Sequence, residues 1–584
     1  MRVIMRSFKL YISTLILLGG YCISNAQEPD LTKEITIETE FVPIEQKATK
    51  LNILPQIAKT TISSKSLTYS EWSGLVDIPN RINTLEPYGF NTKYTFSQAK
   101  GYFDLGAGTK LNVLGNAGYK FIDNKNMQLN AWLQHISTWK GKNSSPLAVS
   151  DSRKQKINDN VFAVNFSNKF TAGLLNLGAY FHLDKYDYYG VNDYSVYDKA
   201  DKQTASEFGI KAEWKQPIKD ENDLQFASGL SFNHFGYSKN LNNEGNGLTE
   251  NNIHAKVFSE ANFDTFSLGI NATADYLGYS NVTIDSITDE NDWMGLLKVS
   301  PYILYKSGKL QFMGGINIDL SAQDGSKIRL SPNIKTYYSI KNAISAYIIL
   351  SGGKKLNTLS EIHSICRYIA PNQIIGSTYQ PYNMKLGVEV GPLNGLYFKP
   401  FFEIGSFKDQ FTPFYNRDSF SDGIIKEIVS PYIFMQRYDI KGWNVGAELG
   451  YQYNNSAGVN AKIQYAPQDN DEGYVLGLDR PELVVNANVQ VHPIKALSIS
   501  LGYELRKGRA YYNRYFVPGP PPVTTWHKTE LENINNLSLN ANYQVTDKLG
   551  VFVNANNLLN KQWDDFLGMG AQKITAIAGI NLVF

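Results

Sequence analysis

The residues best suited to chemistry are few and scattered. His135, His182, His234, His254, His363, His492 and His527 form neither an H-x-E nor an H-E-x-x-H arrangement, so no local spacing turns two imidazoles toward one zinc ion. The glycine patterns that cradle phosphate and the G-x-S-x-G turn that raises a nucleophilic serine are also missing. Two acidic groups, Asp469, Asp471 and Glu472 and then Asp285, Asp289, Glu290 and Asp292, carry the hard oxygen ligands that suit Ca²⁺. Neither has EF-hand spacing, and both read as solvated loop acid. Of the two cysteines, Cys22 lies in an apolar leader. Tyr21 precedes it where a lipid-attachment motif needs a small residue. Cys366 then has no partner for an internal disulfide and no surrounding His, Asp or Glu pattern that would make it a ligand or nucleophile. The chain is therefore expected to carry no catalytic residue, no metal ligand and no cofactor, and not to be an enzyme. The formal net charge of +2, without basic runs interleaved with aromatics, gives no electrostatic reason for nucleic acid as a partner.

The elements that would position any site are short strands. From Gly101 to the end, about 22 β-prone segments follow one another, beginning near Tyr102, Lys110, Met127, Val161, Leu174, Phe208, Leu224, Ile253, Phe266, Leu296, Leu310, Ile328, Ala343, Tyr382, Leu396, Ile433, Gly458, Leu483, Leu497, Leu537, Leu549 and Ile574. Several alternate cleanly. Leu537, Leu539, Ala541, Tyr543 and Val545 share one side, and Asn536, Ser538, Asn540, Asn542 and Gln544 the other. Successive side chains of a strand point to opposite faces, so one face is apolar and the other a row of amides and hydroxyls. A dry core would leave such a row without partners, whereas a wet lumen hydrates it. No apolar run after the leader approaches the ~20 residues of a spanning helix, so a membrane would be crossed by strands. The fold class expected is all-β, a transmembrane antiparallel barrel of about 22 strands behind a short N-terminal extension.

Connection lengths sort by parity. Minimal turns at 123–126, 219–222, 307–309, 392–395 and 546–548 alternate with long connections at 140–159, 185–205, 239–250, 353–379, 408–431, 467–481 and 506–530. Turns at one rim and long loops at the other are the habit of outer-membrane barrels. Within the long connections, Thr358 to Glu361 is a capping box, and Leu359, Ile362, Cys366 and Ile369 share a helical face as far as Pro371. A short amphipathic helix is expected there, packed on the rim or folded into the lumen. Val517 to Pro522 is a stiff extended element.

The N-terminus divides further. Arg2, Arg6 and Lys9 precede an apolar stretch, and Ser24, Asn25 and Ala26 make a cleavage site, so residues 1–26 read as a signal peptide. Residues 27–99 form a polar, weakly patterned segment expected in the periplasm or lumen, and residues 100–584 form the barrel.

Two stretches carry a family likeness. The apolar face of the last strand, Ile580, Leu582 and Phe584, with its terminal aromatic, resembles the C-terminal assembly signal of bacterial outer-membrane proteins. The run Asn556, Asn557, Leu558, Leu559, Asn560, Lys561, Gln562 and Trp563 resembles the penultimate strand of TonB-dependent receptors. The resemblance covers residues 100–584. It implies a cell outer-membrane location in a Gram-negative bacterium, where an even strand count with short turns on the terminal side puts both termini in the periplasm. It also implies outer-membrane lipid and the assembly machinery as partners, and possible association with other outer-membrane or periplasmic proteins. Ile35, Thr36, Ile37, Glu38 and Thr39 are similar to a TonB-contacting box. The departure is a plug domain, for which residues 27–99 are too short. The expectation is therefore a plugless receptor-like barrel serving as membrane subunit of an outer-membrane assembly or transport complex. The alternatives are a TonB-dependent transporter whose plug is replaced by residues 28–99 or a partner, a passive porin, and a barrel enzyme with a Ser/His or Asp/His site on its rim.

Overall fold

The computed structural model describes residues 99–142, 145, 154–189, 202–217, 224–241, 245–263, 265–282, 292–341, 343–414, 432–454, 456–467, 481–517, 523–566 and 568–584. The signal peptide, the 27–99 segment short of Ala99, the 35–39 box, the 219–222 turn, the element at 518–522 and the acidic groups other than Asp292 lie outside the described residues.

Twenty-two strands form one sheet. Each barrel strand pairs antiparallel with the next, and the first, Gly101–Gly108, pairs with the last, Thr575–Val583, from Tyr102↔Val583 to Gly108↔Ile577. The seam is tied at its end by Lys100 and Gly101 N–H donating to the Phe584 carbonyl at 2.7 and 2.8 Å, and by Phe584 N–H donating back to Gly101 at 3.0 Å. The sheet is thereby a closed barrel, the form in which every strand finds a partner on both sides.

The alternation read from the sequence describes the wall. Phe266, Leu268 and Ile270 are exposed on the outside while Ser267 between them is buried, and Val551, Val553, Ile580 and Phe584 are exposed near the seam. On the inside, amides and hydroxyls pair across strands: Asn165 donates to Asn130 at 3.2 Å, Ser167 to Asn176 at 2.8 Å, and Ser500 to Asn488 at 2.7 Å. Phe584 closes over glycine. A Cβ on Gly101 would stand 2.6 Å from its ring, and the ring stacks on Tyr119 at 6.3 Å.

All 22 expected strands are present, with a directional error. Strands starting at the short-turn rim begin where expected, at Met127, Phe266, Leu310, Leu396, Leu497 and Leu549. Of those starting at the long-loop rim, six begin earlier, at Lys154, Lys202, Thr249, Trp293, Ser377 and Ile534, while Asn112, Ile328, Phe434, Leu483 and Thr575 lie at or within two residues of the expected starts. The reason is length. A span needs about 9–11 residues, but Leu396–Phe414 and Phe434–Tyr453 run to 19 and 20. The excess projects beyond the apolar band, where no alternation marks it. The 506–530 connection contains a further hairpin, Ala510–Val517 paired with Val523–Glu530.

Ile580→Arg on the outer face should lower the folded fraction in a urea titration, by up to about 2–4 kcal/mol depending on depth in the bilayer. Asn540→Arg on the wet face should cost far less. Equal losses would show that the two faces do not differ in solvent.

Candidate functional site

The long connection between the strands Ile344–Leu356 and Ser377–Leu393 turns inward. Thr358 caps it: its hydroxyl accepts from Glu361 N–H at 3.2 Å, and helix α1, Leu359–Ile365, follows. The helix is shorter than its apolar spacing predicts. Beyond Ile365 the chain extends, and Ile369 forms a parallel bridge with Ile433. Ala370 N–H donates to Ile433 O at 2.9 Å, Ile433 N–H to Tyr368 O at 2.9 Å, and Leu248 N–H to Pro371 O at 3.0 Å. The segment is thus stitched by backbone to elements on different parts of the circumference.

Its apolar side makes a core in what would otherwise be the mouth. Leu359, Ile362, Cys366 and Ile369 are all buried, in one cluster with Tyr186, Phe235, Tyr237, Met294 and Phe411 of the wall, and with Leu531 and Met569 of two other long connections. Because those residues are distributed around the barrel, the cluster crosses the mouth rather than lining one side. Burial pushes the Cys366 thiol up to about 12, so it is an inert core residue, not a nucleophile.

On the polar side, at Leu359, Ser360 and Arg367 the segment brings hydrogen-bond donors and the wall brings carboxylates, a direction that reverses at the base. Leu359 N–H meets both oxygens of Glu250 at 3.1 and 3.0 Å. Ser360 hydroxyl donates to Glu207 at 2.8 Å. Arg367 donates to Asp184 at 2.9 Å and lies 3.6 Å from Asp159. Burial holds His363 below its ordinary range despite the adjacent Asp184. The neutral ring sets Nε2 3.1 Å from Asp184 and Nδ1 3.4 Å from the Tyr237 hydroxyl. At the base, Lys355 pairs with Glu361, whose carboxyl burial pushes up, and Ser377 N–H donates to Asp324 at 2.8 Å.

Beside this latch lies a cavity of about 390 Å³ between the wall at Asp159, His182 and Asp184 and the segment at His363, Arg367 and Tyr368. His182 pairs with Asp159 at 2.9 Å. Neither imidazole of this cavity hydrogen-bonds a serine, threonine or cysteine, and among the described residues no group of three or more His, Cys, Asp or Glu side chains is arranged around a metal position.

The family-like run is placed differently from expectation. Only Asn556 belongs to a strand, Leu549–Asn556. Asn557 and Asn560 have positive φ, and the run turns tightly: Asn557 accepts from Lys561 N–H at 2.9 Å and donates to Lys561 O at 2.7 Å. Leu558 N–H donates to Leu537 O at 2.9 Å, and Leu559 is exposed. Trp563 is buried with Ile534 and Ala571. The run anchors a long-loop-side connection and does not meet the cavity.

No family profile and no curated protein matches the chain. Solved structures do. The siderophore receptor PirA from Acinetobacter baumannii superposes with a TM-score of 0.60 at 10% identity, covering 84% of this chain and 81% of that one. The ferric enterobactin receptor PfeA from Pseudomonas aeruginosa does so at 0.59 and 11%, covering 83% and 80%. FpvAI, solved in complex with pyocin S2, does so at 0.58 and 12%, covering 83% and 70%. The chain has the TonB-dependent-receptor type of barrel. In this receptor-type barrel, the inward segment, the acidic wall and the cavity compose the candidate site. The sequence reading found the segment but missed its partners. The one local trace was His182 and Asp184, two residues apart on one strand face.

Asp184→Ala strands Arg367 and His363 in the mouth. Breaking a buried pair costs about 3–5 kcal/mol, so maleimide labelling of Cys366 in a Cys22→Ser background should accelerate at least tenfold. An unchanged rate would show that the latch does not hold the segment.

Asp564 offers a pH test in the neighbouring connection. Burial raises its carboxyl to about 6, against the donors Ser145 and Gly568 N–H. The folded state therefore holds the proton more tightly than the unfolded chain, and stability present at low pH is lost as pH rises through about 6. Amide protection factors at 564–571 should be higher at pH 5 than at pH 7.5, and Asp564→Asn should flatten the difference.

Proposed function

We propose that the chain is the membrane-embedded subunit of an outer-membrane transport complex, with its mouth closed from within by residues 357–376. The observation that carries this reading is the core built across the long-loop end from that segment and the wall. A barrel of this strand number is wide enough to need filling. In this reading, residues 1–26 are removed on export, and residues 27–99 or a partner supply what a separate plug would. The short-turn rim with both ends of the barrel faces the periplasm, and the face carrying Ile580, Leu582 and Phe584 is read by the assembly machinery. The lumen moves cargo and does no chemistry.

The closed state is well held. Three backbone hydrogen bonds at about 0.5–1.5 kcal/mol each and the burial of Leu359, Ile362 and Ile369 at about 1.5–3 kcal/mol each put opening on the order of 5 kcal/mol or more. That leaves the open form at about one part in several thousand. Transport then requires an input that releases the segment. In planar bilayers the intact protein should show little steady conductance, and replacing 357–371 by a short Gly-Ser linker should open it. Large, stable conductance from the intact chain would support a passive porin instead. The likeness to siderophore receptors favours one second reading, TonB-dependent uptake. Growth on a scarce nutrient that needs both TonB and residues 35–39 would establish that reading over ours.

A further inference from the structure

The outer wall carries a different constellation, away from the lumen. Strands Met127–Lys142 and Lys154–Phe170 bring a serine, a histidine and an asparagine into one chain of hydrogen bonds. His135 Nδ1 lies 2.8 Å from Asn160 Oδ1, and His135 Nε2 lies 3.0 Å from Ser137 Oγ. Trp139 Nε1 lies 3.0 Å from the same hydroxyl oxygen. The partners fix the direction of each bond. An amide oxygen only accepts, so Nδ1 carries the ring hydrogen and Nε2 presents its lone pair. An indole N–H only donates, so the Ser137 oxygen accepts from Trp139 and sends its own hydrogen to Nε2. Asn160 is itself oriented, its Nδ2 donating to Asn158 Oδ1 at 2.6 Å. A base in hydrogen-bond contact with a hydroxyl nucleophile, held from behind by a third group, is the arrangement of a serine hydrolase.

Register places the group at a boundary. His135 pairs with Asn160, and Ser137 with Asn158. Two residues toward the short-turn rim, Leu133 pairs with Phe162 and Phe162 with Phe181, all three exposed on the outer wall. Toward the long-loop rim, Asn158 pairs with Lys185, and Lys156 and Trp139 follow on the same face. An apolar row thus gives way to the serine and then to cations and an indole, the sequence of environments met along a lipid from acyl chain through ester to anionic headgroup. Gly115, opposite His135 on the neighbouring strand, leaves the flank of the imidazole open: a Cβ there would meet only His135 Cβ, at 3.8 Å.

We propose that Ser137, His135 and Asn160 form a hydrolytic site on the outer wall that cleaves fatty-acyl esters of membrane lipids. This activity goes beyond the transport reading and does not depend on it. Ser137 Oγ attacks the ester carbonyl carbon as its proton passes to His135 Nε2. The tetrahedral intermediate expels the alcohol, which takes that proton, and the acyl group remains on Ser137. Water then attacks the acyl-serine, its proton goes to Nε2 and on to the departing Ser137 oxygen, and the fatty acid leaves. The side-chain amide of Asn158, opposite Ser137, is the nearby donor for the developing oxyanion. Asn160 is a positioning residue. Ser137 is covered, with the indole of the half-exposed Trp139 against its hydroxyl, and entry of substrate requires that indole to swing aside.

The test uses the full chain in an ester-free detergent, with heat-modifiable gel mobility as the check of barrel folding. A fluorophosphonate dye should label the wild type, and release of oleate from dioleoyl phosphatidylglycerol mixed micelles should be measurable. Ser137→Ala and His135→Ala should each reduce both at least a hundredfold. Asn160→Ala should reduce turnover at least tenfold while Asn160→Asp, which still accepts from Nδ1–H, restores it. Trp139→Ala should label faster than wild type. Absence of labelling in both the wild type and the Trp139→Ala variant, or labelling and release indifferent to His135→Ala, would overturn the proposal.

Discussion

Everything in this molecule follows from the need to pair every backbone N–H and C=O of a sheet that has no water at mid-depth. Closing twenty-two strands on themselves meets that need and creates two new problems: a lumen too wide for wall side chains to fill, and an outer face that must be apolar over one band only. The first is answered at the mouth by a segment that imports a small hydrophobic core of its own. The second leaves polar side chains on the outer wall legible as exceptions, since beyond the apolar band they have to be explained by what they contact.

One strand serves both sides. Along Lys154–Phe170, Asp159 faces inward to Arg367 and His182, while Asn158 and Asn160 face outward to Ser137 and His135. Period-two geometry lets consecutive residues work in separate solvents, so a substitution at one is expected to leave the other's environment nearly intact. The inward latch is made of charge and hydrogen bonds, and the outer group is held by neutral donors and acceptors.

The sequence displayed what is periodic and local. Alternation located all twenty-two strands, the parity of connection lengths ordered the rims, and the capping box at Thr358 marked the start of α1 to the residue. The strand ends at the long-loop rim were hidden because they leave the apolar band and lose their alternation. Partners far apart in the chain were hidden for a simpler reason: nothing in the order of residues says that Asp184 and His363 meet, or that Glu250 takes the N-terminus of α1. The H-x-S pair at 135–137 was visible, but its third member enters only through the register of the next strand. The Asn556 to Trp563 run showed its likeness without showing that it turns where a strand was expected.

The seam between Gly101–Gly108 and Thr575–Val583 has a consequence in time. Every other junction of the wall joins strands that are consecutive around the barrel and close along the chain, so those hairpins form with little loop-closure cost. The seam alone joins residues more than four hundred and sixty positions apart, as in Tyr102 with Val583. Its two partners lie at opposite ends of the barrel sequence, so until they meet the sheet is open and curved, with two bare edges. Phe584, whose ring lies over Gly101 and against Tyr119, is the clasp that ends the vulnerable period once the two edges meet. The life of that open sheet, rather than the stability of the finished wall, sets how much protection the chain needs on its way to the membrane.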